Sequence, residues 1–267
     1  MNKPRRPALR WHGGKWKLAD WIIGHFPKHR VYVEPFGGAA SVLIKKTRSY
    51  AEVYNDLDGE VVNFFRMLRD CGPELCRLVD LSPFSREEFQ LSYQPSDDPI
   101  EQARRTVMRT FMGFGTDAHN KVSGFRANSN RPGTTPAHDW ANYPKSMTAL
   151  IERFSGVVIE NRDALKVMYA HDTTETLHYV DPPYVHVTRG GHAKYRHEMD
   201  DDQHVELAEF LMKLEGDVVL SGYRCDLYDD LYSSWTRIDR KTHADGARDR
   251  VESLYLSGLQ IQSQLFG

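Results

Sequence analysis

Short runs of apolar, β-branched and aromatic residues alternate with longer amphipathic stretches along most of this chain, and the alternation restricts the fold more than any other feature. Strands joined by helical crossovers pair in parallel, because the helix must carry the chain back along the sheet before the next strand starts. The expected strands are 31–33, 51–54, 157–160, 177–180, 218–221, 235–240 and 253–257. Expected helices include 17–25, 40–47, 59–70, 203–214 and a short one at 227–232. The fold class is therefore α/β, a mostly parallel seven-stranded sheet with helices on both faces. One region breaks the rhythm. From about Cys71 to Pro144 helical stretches lead to Gly113-Phe114-Gly115 and then to a polar segment, 117–135, rich in Gly, Asn, Ser and Arg. That segment reads as turns or a hairpin. Residues 66–150 are expected to form an inserted domain, with 1–65 and 151–267 as the two parts of one core.

Charge and composition bound the partners. The net charge is −2, from 35 basic and 37 acidic residues, so any phosphate-bearing partner must be met by a local basic face. No apolar run approaches the roughly 20 residues of a membrane helix, and no apolar signal segment follows the basic start of the chain. A cytoplasmic protein without membrane contact, monomeric in solution, is expected. Cys71, Cys76 and Cys225 are scattered, and the 12 histidines suggest no full ligand set, so no metal is expected.

Three segments carry candidate chemistry. The strand 177–180 runs straight into Asp181-Pro182-Pro183-Tyr184. A polar residue at a strand's carboxyl end points into the crevice where α/β sheets bind ligands. The prolines fix the turn and leave their carbonyls as acceptors. A carboxylate on one N–H and the Pro182 carbonyl on the other would push an aromatic amino nitrogen toward nucleophilic geometry, and the Tyr184 ring can stack on an extruded base. The bland alternative is a plain Asp-Pro turn.

In Glu34-Pro35-Phe36-Gly37-Gly38 a strand enters a glycine pair, and Ala39-Ala40-Ser41 opens a helix. Glycines let a cofactor approach the backbone. The third glycine of the dinucleotide fingerprint is missing, which disfavours a nicotinamide oxidoreductase and suits a cofactor without pyrophosphate. A simple tight turn also fits. Asp56, roughly 20 residues on, sits where an acid accepts ribose hydroxyls, or else caps the helix at 59–70. In Trp11-His12-Gly13-Gly14-Lys15, two glycines between Trp11 and Lys15 suit a loop over a ligand, with Lys15 on a carboxylate and Trp11 packed on the ligand; an ordered N-terminal turn is the alternative. Arg104, Arg105, Arg109, Lys121, Arg126 and Arg131 crowd the insert near Phe114 and Phe125, and Lys241, Arg248 and Arg250 mark a late loop at 241–250. These read as phosphate or base contacts, or as solvated surface.

Taken in order, these segments resemble the Dam-type (D12 class, alpha group) DNA adenine N6-methyltransferases. The resemblance covers most of the chain outside the insert. It implies a Rossmann-like S-adenosylmethionine-dependent core that flips adenine out of duplex DNA and methylates its N6 directly. Transfer from a sulfonium needs no metal, since the thioether leaves neutral. The resemblance implies Asp181, Pro182, Pro183 and Tyr184 as catalytic residues. It implies Trp11, Gly14, Lys15, Glu34, Pro35, Phe36, Gly37, Gly38, Asp56, Asp163 and Asp181 around the donor, with Asp163 near the donor's adenine. The insert becomes the target-recognition domain, with Arg109, Phe114, Lys121, Arg126 and Arg131, and with Arg248 and Arg250 from the late loop, on DNA. A bacterial or phage source fits this family. Where its members often carry Tyr-Asn, this chain has Phe114-Gly115, so no particular target sequence is implied. The alternatives are a methyltransferase for RNA adenine or protein amides, and an inactive DNA-binding relative.

Overall fold

A computed structural model describes residues 4–115, 122–128, 130, 133–188, 197–243 and 249–258. Strands β1 (Val31–Glu34), β2 (Ala51–Asn55), β3 (Val158–Glu160), β4 (Thr176–Val180), β5 (Asp217–Tyr223), β6 (Thr236–His243) and β7 (Asp249–Leu256) form one sheet in the order β3-β2-β1-β4-β5-β7-β6. The first five are parallel, and β7 runs antiparallel between β5 and β6. The seven expected strands are all present. The expected loop at 241–250 is shorter than read: Lys241–His243 close β6, and Asp249 and Arg250 open β7. Residues 244–248, which include Arg248, lie outside the described residues, as does the side chain of Arg250.

Alternation within each strand builds two cores, because successive side chains point to opposite faces. Tyr32, Tyr54, Tyr179 and Val219 face one side, packing with α1 (Ala19–Ile23), α2 (Ser41–Lys45) and α3 (Gly59–Asp70). Val33, Val53, Val180, Val218 and Leu220 face the other, against α9 (Ala164–His171), α10 (Asp201–Leu211) and α11 (Asp226–Leu231).

Helices α4 (Gly72–Leu81), α5 (Arg86–Leu91), α6 (Pro99–Met112), α7 (Pro136–Asn142) and α8 (Pro144–Phe154) fill the region between β2 and β3. They share the first core: Leu75, Val107, Met108, Leu150 and Phe154 join the cluster that contains Tyr32 and Tyr54. Arg153 of α8 pairs with buried Glu52 of β2, which also holds Lys46. The boundaries at 66 and 150 thus fall inside α3 and α8, which both pack on the sheet. A hairpin base is present where expected: Gly113 bridges Phe125, and the Phe114 N–H donates to the Gly124 carbonyl at 2.8 Å. No helix among the described residues is long and apolar enough to cross a membrane.

Candidate functional site

The sheet order reverses at β1. The chain steps outward through β2 and β3, then returns to place β4 on the other flank of β1. Loops at the carboxyl ends of β1 and β4 diverge there, and a crevice opens between them. A cavity of about 220 Å³ occupies it. Trp11, Gly14, Lys15, Glu34, Phe36, Gly37, Gly38, Asp56, Asp163, Asp181 and Pro183 all line it. Residues far apart in sequence are thereby brought to one place.

In the loop after β1, positions 37 and 38 are tight for any side chain. A Cβ on Gly37 would lie 2.2 Å from the Tyr54 ring, and Gly38 has a φ of +46° with the Trp11 indole 3.2 Å from where its Cβ would stand. Pro35 supplies a carbonyl that accepts from the Asn55 side chain at 2.8 Å. Asp56 is half-buried and accepts two backbone N–H groups, from Gly38 and Asp58, each at 2.8 Å. Burial pushes its carboxyl up to about 6, although both hydrogen bonds favour the charged form. A carboxylate has about four lone-pair sites, so two N–H partners leave capacity for hydroxyl donors. The capping alternative fails for Asp56. The residue that caps α3 is Asp58, whose side chain accepts from the Glu60 N–H. Asp163 is exposed and caps α9 at the cavity's edge, accepting from the Lys166 N–H.

Glu34 ends β1 and is buried. Its Oε2 accepts from the Tyr32 hydroxyl at 2.7 Å and from the Leu43 N–H at 3.0 Å, so it ties the strand to α2 while lining the cavity. Burial, reinforced by the nearby Asp181 charge, pushes Glu34 up to about 8.

Asp181 ends β4. Its Oδ1 accepts from Ser221 Oγ at 2.7 Å and pairs with Lys15 Nζ at 2.9 Å. Lys15, expected on a ligand carboxylate, is instead held by this side chain and donates to the Gly13 carbonyl at 3.1 Å. Tyr184, expected to offer an open ring, is only 5% exposed. Lys15 Nζ lies 4.6 Å from its centroid, Tyr223 packs on it edge-on, and its hydroxyl donates to Glu252. A base that stacks on this ring must displace the ammonium.

Several residues at the site carry no local sequence signal. Asn55 and Glu252 are buried polar groups on apolar strands. His197, Glu198 and Met199, just before α10, and Gln203, Glu206 and Leu207, within it, line the cavity. Among the described residues no group of three or more His, Cys, Asp or Glu is arranged to hold a metal ion.

The arginines of the insert need correction. Arg104 pairs with Glu88 and Glu101, and Arg105 with Glu101. Arg109 is 5% exposed and pairs with Glu60 of α3, so it joins α6 to the core and has no free face for DNA. Their acidic partners lie on the same or neighbouring helices, and burial favours the pair over a solvated cation. Phe125 likewise packs inward on Phe84 and Phe89. Phe114 is 74% exposed beside the hairpin base. Arg126 is half-buried and donates to the Phe111 carbonyl at 2.8 Å. Lys121 and Arg131 lie outside the described residues.

A family model described as D12 class N6 adenine-specific DNA methyltransferase matches residues 11–245. The chain is 26% identical over 252 residues to the Type II methyltransferase M1.LlaDCHI of Lactococcus lactis subsp. cremoris, covering 86% of this chain and 85% of that one. It is 37% identical over 132 residues to a DNA adenine methylase of Vibrio cholerae, covering 46% and 47% of the two chains. It is 22% identical over 264 residues to the Type II methyltransferase M.MjaIII of Methanocaldococcus jannaschii, covering 86% and 89%.

Two outcomes follow from the geometry. A carboxyl raised from 4.5 to about 8 by folding contributes stability that is fully present below about pH 4.5 and is lost as pH rises through about 8. Glu34→Gln keeps a neutral acceptor for Tyr32 and Leu43, so it should gain stability relative to the native chain across that window. Urea unfolding of both at each end of the window measures the gap; an unchanged gap contradicts the assignment. Arg109→Ala should cost about 2 kcal/mol or more of stability, because Glu60 loses its buried partner. Its DNA affinity, read by titration well below the unfolding temperature, should stay within about twofold, where a phosphate contact would lower the salt slope by about one.

Proposed function

Because the chain belongs to the D12 class of N6 adenine-specific DNA methyltransferases, we propose that the crevice between β1 and β4 holds S-adenosylmethionine and a flipped adenine side by side. The family's reaction is transfer of a methyl group to adenine N6 in DNA, and this chain is such an enzyme. The observation that carries the site reading is the position of Asp181. It stands at the carboxyl end of β4, over a cavity that it shares with Asp56 and the glycine turn 37–38.

The residues present fit the donor. Side chains at positions 37 and 38 would close the space beside Tyr54 and Trp11. Asp56 has acceptor capacity to spare for a ribose diol, and Asp163 stands at the edge where an adenine amino group would lie. Trp11 offers an aromatic face to a cation. S-adenosylmethionine, when bound, supplies an electrophilic methyl on a positively charged sulfur. Asp181 accepts a hydrogen bond from the target amino group, and the Pro182 carbonyl accepts the other. Together they favour a pyramidal nitrogen whose lone pair is free to attack. The Tyr184 ring carries the extruded base.

The helices and hairpin between β2 and β3, with exposed Phe114 at the hairpin base, are proposed as the target-recognition region. Among its basic residues Arg126 remains a candidate DNA contact, and Lys121 and Arg131 extend the same segment. Arg250, at the start of β7, and Arg248, outside the described residues, are proposed to grip the backbone.

Tritiated S-adenosylmethionine incubated with the protein and duplex DNA should label N6-methyladenine on nucleoside analysis, with RNA and protein left unlabelled. Label in RNA or protein alone would overturn the substrate assignment. Asp56→Ala should weaken donor binding by about 1.5–3 kcal/mol, the worth of hydrogen bonds to a charged group. Affinity should also fall as pH drops below about 6, as the raised Asp56 carboxyl protonates and loses its acceptor charge. Calorimetry that finds the variant's affinity unchanged would remove Asp56 from the donor site.

A further inference from the structure

Glu252 is 3% exposed, on β7, opposite Tyr223 of β5 and Arg240 of β6. A carboxylate buried in a strand whose following residues, Leu254 and Tyr255, are core costs several kcal/mol unless it is partnered, so its partners say what it is for. Two of them come from the candidate active site. The Tyr184 hydroxyl donates to its Oε1, and Lys15 Nζ lies 3.8 Å from the same oxygen. Lys15 thus stands between two carboxylates, within hydrogen-bond reach of Asp181 and just beyond it from Glu252.

Methyl transfer makes two demands on this cluster. The target amino group must donate to the Asp181 carboxylate, whose Oδ1 now takes both Lys15 and Ser221 and whose strength as an acceptor the ammonium lowers. The base must also cover the Tyr184 ring, over which the same ammonium now lies. Both demands push Lys15 the same way, off Asp181 and off the ring. An ammonium moved within a dry site needs a counter-charge at its destination. Glu252 supplies it after a short shift of Nζ, and its bond to the Tyr184 hydroxyl keeps the ring in place during the exchange.

We infer that Glu252 is a positioning residue for methyl transfer: it fixes the Tyr184 ring through its hydroxyl and receives Lys15 when the target amino group takes Asp181. This rests on the reading of Asp181 to Tyr184 as the transfer site. It adds a residue that lies on a different strand and contacts neither the target base nor the donor.

The test compares native protein with Glu252→Gln, Tyr184→Phe and the double variant on a duplex carrying an adenine that the native enzyme methylates. Glutamine keeps the shape and an acceptor for the Tyr184 hydroxyl, and removes the charge that receives Lys15. At saturating donor and DNA, the single-turnover rate of Glu252→Gln should fall at least about tenfold, the size of one lost charge-assisted contact. The KM for the donor and the affinity for DNA should stay near native. The double variant should be no slower than the slower single one, because both changes act through one cluster. A Glu252→Gln enzyme that is folded and transfers at the native rate overturns the inference. So does a rate loss that only tracks the unfolded fraction in a thermal melt, since that is a packing role. If Glu252→Gln does not fold, Glu252→Asp keeps the charge on a shorter arm and should slow the step severalfold with a near-native melting temperature; a native rate from it overturns the inference. Failure of the native protein itself to methylate adenine would instead refute the reading on which the inference rests.

Discussion

Asn55 is fully buried at the end of β2, and its side-chain amide joins the loops that follow β1 and β3 on either side. Its Nδ2 donates to the Pro35 carbonyl at 2.8 Å and to the Arg162 carbonyl at 3.0 Å, while its Oδ1 accepts from the Arg162 N–H at 2.9 Å. Three of the four hydrogen bonds an asparagine can make are thereby used on backbone groups that have no ladder to join. The loop after β1 is fixed to β2 a second time through the Gly37 N–H and the Asn55 carbonyl, at 2.8 Å. Asn161 closes the other side by donating to the Asp56 carbonyl at 2.7 Å. The glycine turn, Asp56 and Asp163 therefore share one frame, and hydrogen bonds to backbone groups set this wall of the cavity.

The opposite wall is built differently. Asp181, Ser221 and Glu252 come from β4, β5 and β7, and Lys15 arrives from the N-terminal loop. Here the contacts join one side chain to another, apart from the bond of Lys15 to the Gly13 carbonyl. Such a cluster can exchange partners at little cost, provided that each charge keeps a counterpart. The backbone-fixed wall suits a small molecule held in one pose. The adjustable wall suits a base that enters and leaves.

Much of this was legible in the sequence. The strands could be read because each is a short apolar run ended by a polar or glycine residue, and the crevice residues could be read because they sit at those ends. Asp181 and Asp56 follow their strands directly, and Gly37 marks a turn that has no room for a side chain. What was not legible depends on partners distant in the chain. The Tyr184 hydroxyl and Glu252 are 68 positions apart, and nothing near either residue announces the other. The α10 residues at the cavity belong to a crossover whose path local pattern does not give. Arg104 and Arg109 look like a phosphate-binding cluster in one dimension. In three dimensions Glu60, Glu88 and Glu101 neutralise them, and the residues fix α6 instead. The insert's expected boundaries, 66 and 150, lie within α3 and α8, continuous helices that face the sheet, so composition changes along the chain before packing does.

In the proposed reaction the Asp181 carboxylate must be an acceptor at the moment nitrogen attacks. Asp181→Asn nearly preserves shape and turns a strong acceptor into a mixed donor and acceptor. Single-turnover methylation of an adenine duplex isolates the chemical step from donor and DNA binding. The rate should fall at least about a hundredfold, comparable to losing one preorganised contact to the transition state. DNA affinity should be retained, because contacts elsewhere supply it. A near-native rate from Asp181→Asn would contradict the account, even if the product were still N6-methyladenine.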